Sequence, residues 1–287
     1  MFTAMKTVTT IAALRAEITN YRRDHLRVGL VPTMGALHAG HLSLVRATQK
    51  RSDRTVVSIF VNPAQFAPHE DFDRYPRELT LDSEKLAATG VDLVFAPGTA
   101  EMYSEDFSTR VEVGGPSAGL ETDFRPHFFS GVATVVAKLL IAALPDVATF
   151  GEKDYQQLLV VRQLVRDLGL PVEIFGAPIV REGDGLAMSS RNAYLLPAER
   201  AIAARLNLVL KDTIARVSRD GSVAPAEMYG VEALRKAGFT SVDYVAIRDA
   251  ATLAPISTLT RPARILAAAR VGATRLIDNM FIDSPSP

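Results

Sequence analysis

Across residues 1–180, short apolar runs alternate with segments of helical spacing, and this alternation restricts the fold to an open α/β sheet. Residues 27–31, 55–61, 91–97, 147–150, 172–175 and 179–180 read as strands. The run 55–61 is β-branched and apolar, as suits a parallel strand covered on both faces. Residues 11–23 place Ile11, Leu14, Ile18 and Tyr21 on one helical stripe, and 79–89 also read as a helix. A further helix, 132–144, is apolar nearly all round and is expected to be buried. The expected class is a doubly wound parallel α/β sheet. After the polar, Gly-containing stretch 181–185, read as a linker, the pattern changes to helices at 197–217 and 225–236. Strands at 242–247, 263–269 and 274–282 follow. Two domains are therefore expected, 1–180 and a smaller α+β domain, 181–287.

Composition narrows the function classes. Of 287 residues, 48% are apolar, so a sizeable core is available. Lys plus Arg equals Asp plus Glu at 32 each, which argues against a nucleic-acid partner. There is no Cys, hence no disulfide framework, thiolate nucleophile or Cys-ligated zinc. No apolar run is long enough to span a membrane, so a soluble cytoplasmic protein is expected.

The chemistry concentrates where strands hand over to helices. Val31-Pro32-Thr33-Met34-Gly35-Ala36-Leu37-His38-Ala39-Gly40-His41 follows a strand and leads into a helix that begins near Gly40. A helix N-terminus presents N–H groups and partial positive charge to an anion. His38 and His41, three residues apart, could add donors to phosphate oxygens there. They could equally be surface residues or helix-start residues with a structural role. Metal ligation lacks the Glu and the third ligand that such spacing requires. A second strand–Gly–helix junction, Gly151-Glu152-Lys153-Asp154-Tyr155-Gln156-Gln157, offers Lys153 as a point charge, Asp154 as an N-cap and Gln157 as an amide. Met188-Ser189-Ser190-Arg191-Asn192 supplies hydroxyls and a guanidinium suited to phosphate, and its place beside the linker suggests a lid. Asn62 and Gln65 follow the strand 55–61, beyond whose carboxyl end ligands of open α/β sheets sit. The stretch 67–77, with His69, Glu70, Asp71, Asp73 and Arg74, reads as a solvated loop. No Walker A sequence, Gly-x-Gly-x-x-Gly fingerprint or Gly-x-Ser-x-Gly elbow is present.

Five blocks in order resemble the pantoate–β-alanine ligase (pantothenate synthetase) family of the nucleotidyltransferase superfamily. They are 32–41, Phe60-Val61-Asn62-Pro63 with Gln65-Phe66, Tyr75-Pro76-Arg77, 151–157 and 184–192; Thr274-Arg275-Leu276-Ile277-Asp278-Asn279 also fits. The resemblance implies a Rossmann-like first domain binding ATP and pantoate, a C-terminal lid domain and a homodimer. It implies that pantoate attacks the α-phosphate of MgATP and that β-alanine then displaces AMP from pantoyl adenylate, with no nucleic acid or membrane involved. On the same basis His38, His41, Lys153, Ser189 and Arg191 are catalytic. Met34, Gly35, Ala36, Leu37, Ala39, Gly40, Gly151, Glu152, Asp154, Val180, Met188 and Ser190 join them in holding ATP. Gln65, Gln157, Asn62, Tyr75 and Arg125 hold pantoate or β-alanine. Asp82 contributes near Mg2+.

Two positions depart from the family pattern. His127-Phe128-Phe129 stands where relatives carry a small residue followed by His-Phe, so the imidazole is displaced by one position or lost from the site. Leu81 stands where relatives often carry an acid, which leaves Asp82 alone beside the metal. Two other functions fit the same motifs: a nucleotidyltransferase that stops at nucleotidyl transfer, and a nucleotide-binding module without turnover.

Overall fold

The computed structural model describes residues 5–67, 70 and 72–283, so His69 and Asp71 of the expected loop lie outside the described residues. The chain divides into two compact units, Met1–Glu152 with Val160–Pro178, and Lys153–Leu159 with Ile179–Pro287.

The first unit runs β1 (Lys6–Val8), α1 (Ile11–Arg23), β2 (Val28–Thr33), α2 (Ala39–Gln49), β3 (Arg54–Ile59), α3 (Leu79–Ala88), β4 (Leu93–Phe95), α4 (Thr99–Met102), α5 (Glu121–Phe124), α6 (Phe128–Ala143) and β5 (Val147–Gly151). After α7 (Tyr155–Asp167), which begins in the second unit, β6 (Glu173–Ala177) completes the sheet. The strand order is β1-β4-β3-β2-β5-β6 and every pairing is parallel. This is a doubly wound sheet. Its strand order turns back between β2 and β5, the position at which such sheets open a ligand crevice beyond their carboxyl ends. Val31, Val57 and Val94 lie fully buried in its centre, against Leu44 and Val45 of α2 and Leu86 of α3.

The second unit continues through α8 (Pro197–Ala203), α9 (Arg205–Asp220), α10 (Val223–Lys236), β7 (Ser241–Asp249), β8 (Ala263–Val271) and β9 (Thr274–Ile282). The strands form an antiparallel sheet in the order β7-β8-β9. Leu206 and Leu210 of α9 and Leu234 of α10 pack with Ile247, Ile265 and Leu276 of the strands in one apolar core. Among the described residues no helix is long and apolar enough to cross a membrane.

Several expectations change in detail. Residues 179–180 form no strand; Pro178 has no N–H to give a ladder, and the Val180 carbonyl instead accepts from Met188 at 3.0 Å. The stretch 181–185 is a tight turn rather than an open linker. Arg181 bridges Ala187, the Glu182 N–H donates to Leu186 at 2.8 Å, and Gly185 takes φ 90°. The helix expected over 197–217 is divided at Ala204, whose dihedrals stay helical (φ −61°, ψ −22°) and whose N–H still donates to the Arg200 carbonyl at 3.2 Å. The ladder of β3 stops at Ile59, ahead of the Asn62-Pro63 turn. The loop after it is not wholly solvated. Tyr75 is buried, and the Phe66 ring meets Phe72 and Tyr75 edge-on at 5.4 and 6.0 Å.

Candidate active site

The turn from β2 into α2 is held from behind by one buried carboxylate. Asp82, on α3, accepts from the N–H groups of Ala36 (2.8 Å, Oδ2) and Leu37 (2.8 Å, Oδ1). Lys85, one turn on, donates to the Leu37 carbonyl at 2.8 Å and stands 3.8 Å from Asp82. The turn needs a glycine. Gly35 takes φ 84°, and a Cβ there would stand 3.0 Å from Asp82 Oδ2 and 3.2 Å from Ile59 Cγ2.

These contacts reassign Asp82. Its residue is 1% exposed and each oxygen accepts from a backbone donor, so it shapes the turn. Among the described residues no group of three or more His, Asp or Glu could hold a metal ion. Asp82→Ala should therefore cost roughly 2–5 kcal/mol of stability, the penalty for two backbone donors left unpaired. The remaining activity should keep its dependence on Mg2+ concentration. Denaturant titration and a magnesium titration check the two halves; an altered magnesium dependence in a stable variant would restore the metal role.

His38 and His41 close the turn as a reciprocal cap of α2. His38 Nδ1 accepts from the Gly40 N–H at 3.1 Å, and His41 Nδ1 accepts from the His38 N–H at 3.4 Å. A neutral ring that accepts at Nδ1 carries its proton on Nε2, so each imidazole is fixed as an Nε2–H donor. The ring centroids are 4.1 Å apart, so two such donors share one helix N-terminus. Capping through Nδ1 is chemically compatible with donation from Nε2, because the two use different ring nitrogens.

Beyond β3, Gln65 ends a short 3-10 turn, Pro63–Gln65. Its Oε1 accepts from Asn62 Nδ2 at 3.0 Å, and its Nε2 rests on the Met34 sulfur at 3.0 Å. Asn62 is 1% exposed and fully engaged. Nδ2 also donates to the Gly131 carbonyl at 3.1 Å, while Oδ1 accepts from the Ala64 N–H at 3.3 Å and the Tyr103 hydroxyl at 2.8 Å. Burial pushes the Tyr103 hydroxyl up to about 12, so it remains a donor at neutral pH. Because a carbonyl only accepts and an N–H only donates, this backbone fixes the Asn62 amide, and Asn62 fixes Gln65 with its NH2 group turned toward Met34. Gly131 allows α6 to come this close; a Cβ there would lie 2.2 Å from the Ala64 carbonyl oxygen.

Asn62 and Arg125, expected to touch substrate, thus support Gln65 instead. The Arg125 guanidinium pairs with Glu70 (Nε–Oε1 2.6 Å, Nη2–Oε2 2.7 Å), donates to the Gln65 carbonyl at 3.1 Å and lies 3.8 Å from the Phe128 ring centroid. Tyr75, also expected at substrate, has its ring against Phe66 and is 5% exposed. His127 precedes α6, exposed and without a capping bond, so the displaced imidazole takes no part in this cluster. Leu81, the other departure, is exposed on α3. Sequence reading missed Tyr103 and Gly131, which lie far from Asn62 in the chain and belong to no recognisable pattern.

In the second unit, Lys153 belongs to a 3-10 turn, Glu152–Asp154, with Asp154 immediately before α7 and Gln157 in its first turn. The Lys153 carbonyl accepts from Asn279 Nδ2 at 2.8 Å. Ser189 caps a second 3-10 turn, Ser190–Tyr194, its Oγ accepting from the Arg191 N–H at 3.3 Å. That loop is tied down through Asn192, which donates to Glu182 at 2.6 Å and to the Ala187 carbonyl at 3.1 Å. Arg200 grips Glu182 at 2.7 Å and Asp184 at 2.9 Å, and its hydrogen bond holds the Asp184 carboxyl below the usual carboxylate range. The Ser-Ser-Arg stretch is therefore a built loop.

Comparison with known proteins agrees with this architecture. The sequence profile of the Pantoate-beta-alanine ligase family matches residues 6–281. The pantothenate synthetase of Mesorhizobium japonicum is 58% identical over 96% of this chain and 97% of its own length. The crystal structure of pantothenate synthetase from Thermus thermophilus superposes with a TM-score of 0.90 at 51% identity, covering 96% of this chain and 99% of that one. The pantoate-β-alanine ligase of Francisella tularensis, solved in complex with β-γ ATP and β-alanine, superposes with a TM-score of 0.81 at 33% identity, covering 96% of this chain and 97% of that one. With a family profile matched across nearly its whole length and relatives more than half identical to it, this chain belongs to the pantoate–β-alanine ligase family.

Proposed function

We propose that this chain joins pantoate to β-alanine at the expense of ATP, through pantoyl adenylate. A pantoate carboxylate oxygen attacks the α-phosphorus of MgATP, and the bond to pyrophosphate breaks. The β-alanine amine then attacks the acyl carbon of the adenylate. AMP leaves with the oxygen that pantoate supplied, and the nitrogen loses a proton to solvent. The observation that carries the reading is the capped histidine turn, where two imidazole rings stand 4.1 Å apart at one helix N-terminus, each accepting a backbone N–H at Nδ1. Donors fixed before the reaction stabilise charge developing on phosphate without reorganising.

In this reading His38 and His41 act on the α-phosphate, and Met34 to Gly40 lie along the nucleotide. Lys153, Ser189 and Arg191 hold the β- and γ-phosphates, with Gly151, Glu152, Asp154, Val180, Met188 and Ser190 beside them. Gln65 and Gln157 hold pantoate. Mg2+ arrives as part of MgATP, bound to phosphate oxygens. The active species is a homodimer, which sedimentation tests. Met34 sulfur is a weak acceptor, so a pantoate oxygen would replace it to advantage at the Gln65 NH2 group. Gln65→Ala should raise the KM for pantoate roughly 10-fold, the worth of one hydrogen bond to a charged group, and leave that for ATP nearly unchanged. Steady-state kinetics with each substrate varied in turn checks this; a rise confined to ATP would reverse the assignment.

The proposal as a whole is tested by incubating the protein with MgATP and pantoate, with and without β-alanine. Pyrophosphate should form up to one equivalent per active site without β-alanine, and AMP and pantothenate should accumulate only with it. Pyrophosphate released over many turnovers without the amine, with the AMP group retained on pantoate and no pantothenate formed when β-alanine is added, would favour the alternative, a nucleotidyltransferase that does not form the amide.

A further inference from the structure

The final strand holds a buried polar group that the roles above leave unused. Asp278 and Asn279 are adjacent on β9 and each is 2% exposed. Arg181 grips Asp278 with both terminal nitrogens, at 2.7 and 2.9 Å. Asn279 Oδ1 accepts from Arg264 Nη1 at 2.8 Å, and Asn279 Nδ2 donates to the Lys153 carbonyl at 2.8 Å. A guanidinium only donates, so Arg264 sets the amide with its NH2 group toward Lys153. On β8 Arg264 pairs with Phe281, which puts it diagonally across from Asn279 on the same face. The same guanidinium lies over the Tyr155 ring, 3.6 Å from its centroid, and the Tyr155 hydroxyl donates to the Ala250 carbonyl at 2.7 Å.

Polar groups buried this deeply are costly unless paired, and these stand beside the apolar residues that form the core of the β7-β8-β9 sheet. Between them Asn279 and Arg264 hold the Lys153 carbonyl and the ring two residues further on. We propose that Asn279, set by Arg264, is a positioning residue for Lys153: it fixes the backbone from which the ammonium reaches the phosphates of ATP. This rests on the phosphate role proposed for Lys153. A misplacement of about 1 Å at a positioned group can cost on the order of 10²-fold in rate, so an anchor on that backbone is kinetically significant.

Asn279→Asp keeps the shape and the acceptor for Arg264 but removes the donor to Lys153. Single-turnover adenylation by this variant should fall about 10-fold or more, within the cost of such misplacement. Attack of β-alanine on supplied pantoyl adenylate should stay within about twofold, because the adenylate lacks the two outer phosphates. In a Lys153→Ala background the same change should add nothing, as expected of residues that act as one unit. If Asn279→Asp folds poorly by circular dichroism, Asn279→Ala, which removes the donor without adding charge, is read the same way. Normal adenylation in the single variant, or an equal loss with and without Lys153, overturns the inference. Normal adenylation by Lys153→Ala alone overturns the phosphate role of Lys153 and the inference with it.

Discussion

His41→Ala is expected to slow adenylate formation by roughly 10²–10³-fold, the range for loss of one preorganised donor to developing charge. Its Nδ1 is occupied by the His38 N–H, so the ring is oriented before substrate arrives and offers its proton from Nε2. His38→Ala should show a comparable kinetic loss and also lower stability by about 1 kcal/mol, because its Nδ1 caps α2 at Gly40. His38→Asn separates the two effects. Asparagine is a good N-cap, so stability should return, but the Nε2 donor is gone and the rate should stay low. Denaturant midpoints and single-turnover adenylation, measured on all three variants, decide between the roles. A His41→Ala protein within threefold of the parent rate would remove the histidines from the chemistry and leave them as a helix cap.

Lys153→Ala is expected to have a split effect. Adenylation should fall by roughly 10²-fold or more, since a cation on the leaving pyrophosphate stabilises charge that grows as the bond to it breaks. The second step should change by less than about threefold when pantoyl adenylate is supplied, because pyrophosphate has already gone. Arg in place of Lys153 should recover only part of the loss; its planar fork does not reproduce a compact ammonium on a held backbone. Rapid-quench measurement of each half-reaction gives the comparison. Equal slowing of both steps would point to general damage around the turn.

The sheet was legible in the sequence because its strands are covered on both faces, so continuous runs such as that ending at Ile59 stand out against amphipathic helices. β1 escaped notice: three residues, two of them exposed, give no periodic signal. Among site residues, types and places at strand ends were readable, but directions were not. Asn62, Arg125 and Asp82 each carry the chemistry for a ligand and lie beside the site. Each is turned toward the protein by groups 46 to 69 residues away in sequence, the Ala36 N–H, the Gly131 carbonyl and the Glu70 carboxylate among them. No local pattern reveals such partners. The two histidines were readable because both capping contacts fall within the same few residues.

In the proposed reaction pantoate is activated by bonding its own carboxylate oxygen to the α-phosphorus of ATP. Pantoate labelled with ¹⁸O in the carboxylate tests this directly when turned over with MgATP and β-alanine and the products are read by mass spectrometry. One ¹⁸O is expected in each AMP, one in the amide carbonyl of pantothenate, and none in pyrophosphate. Label appearing in orthophosphate with ADP as the nucleotide product, or AMP free of label, would contradict it.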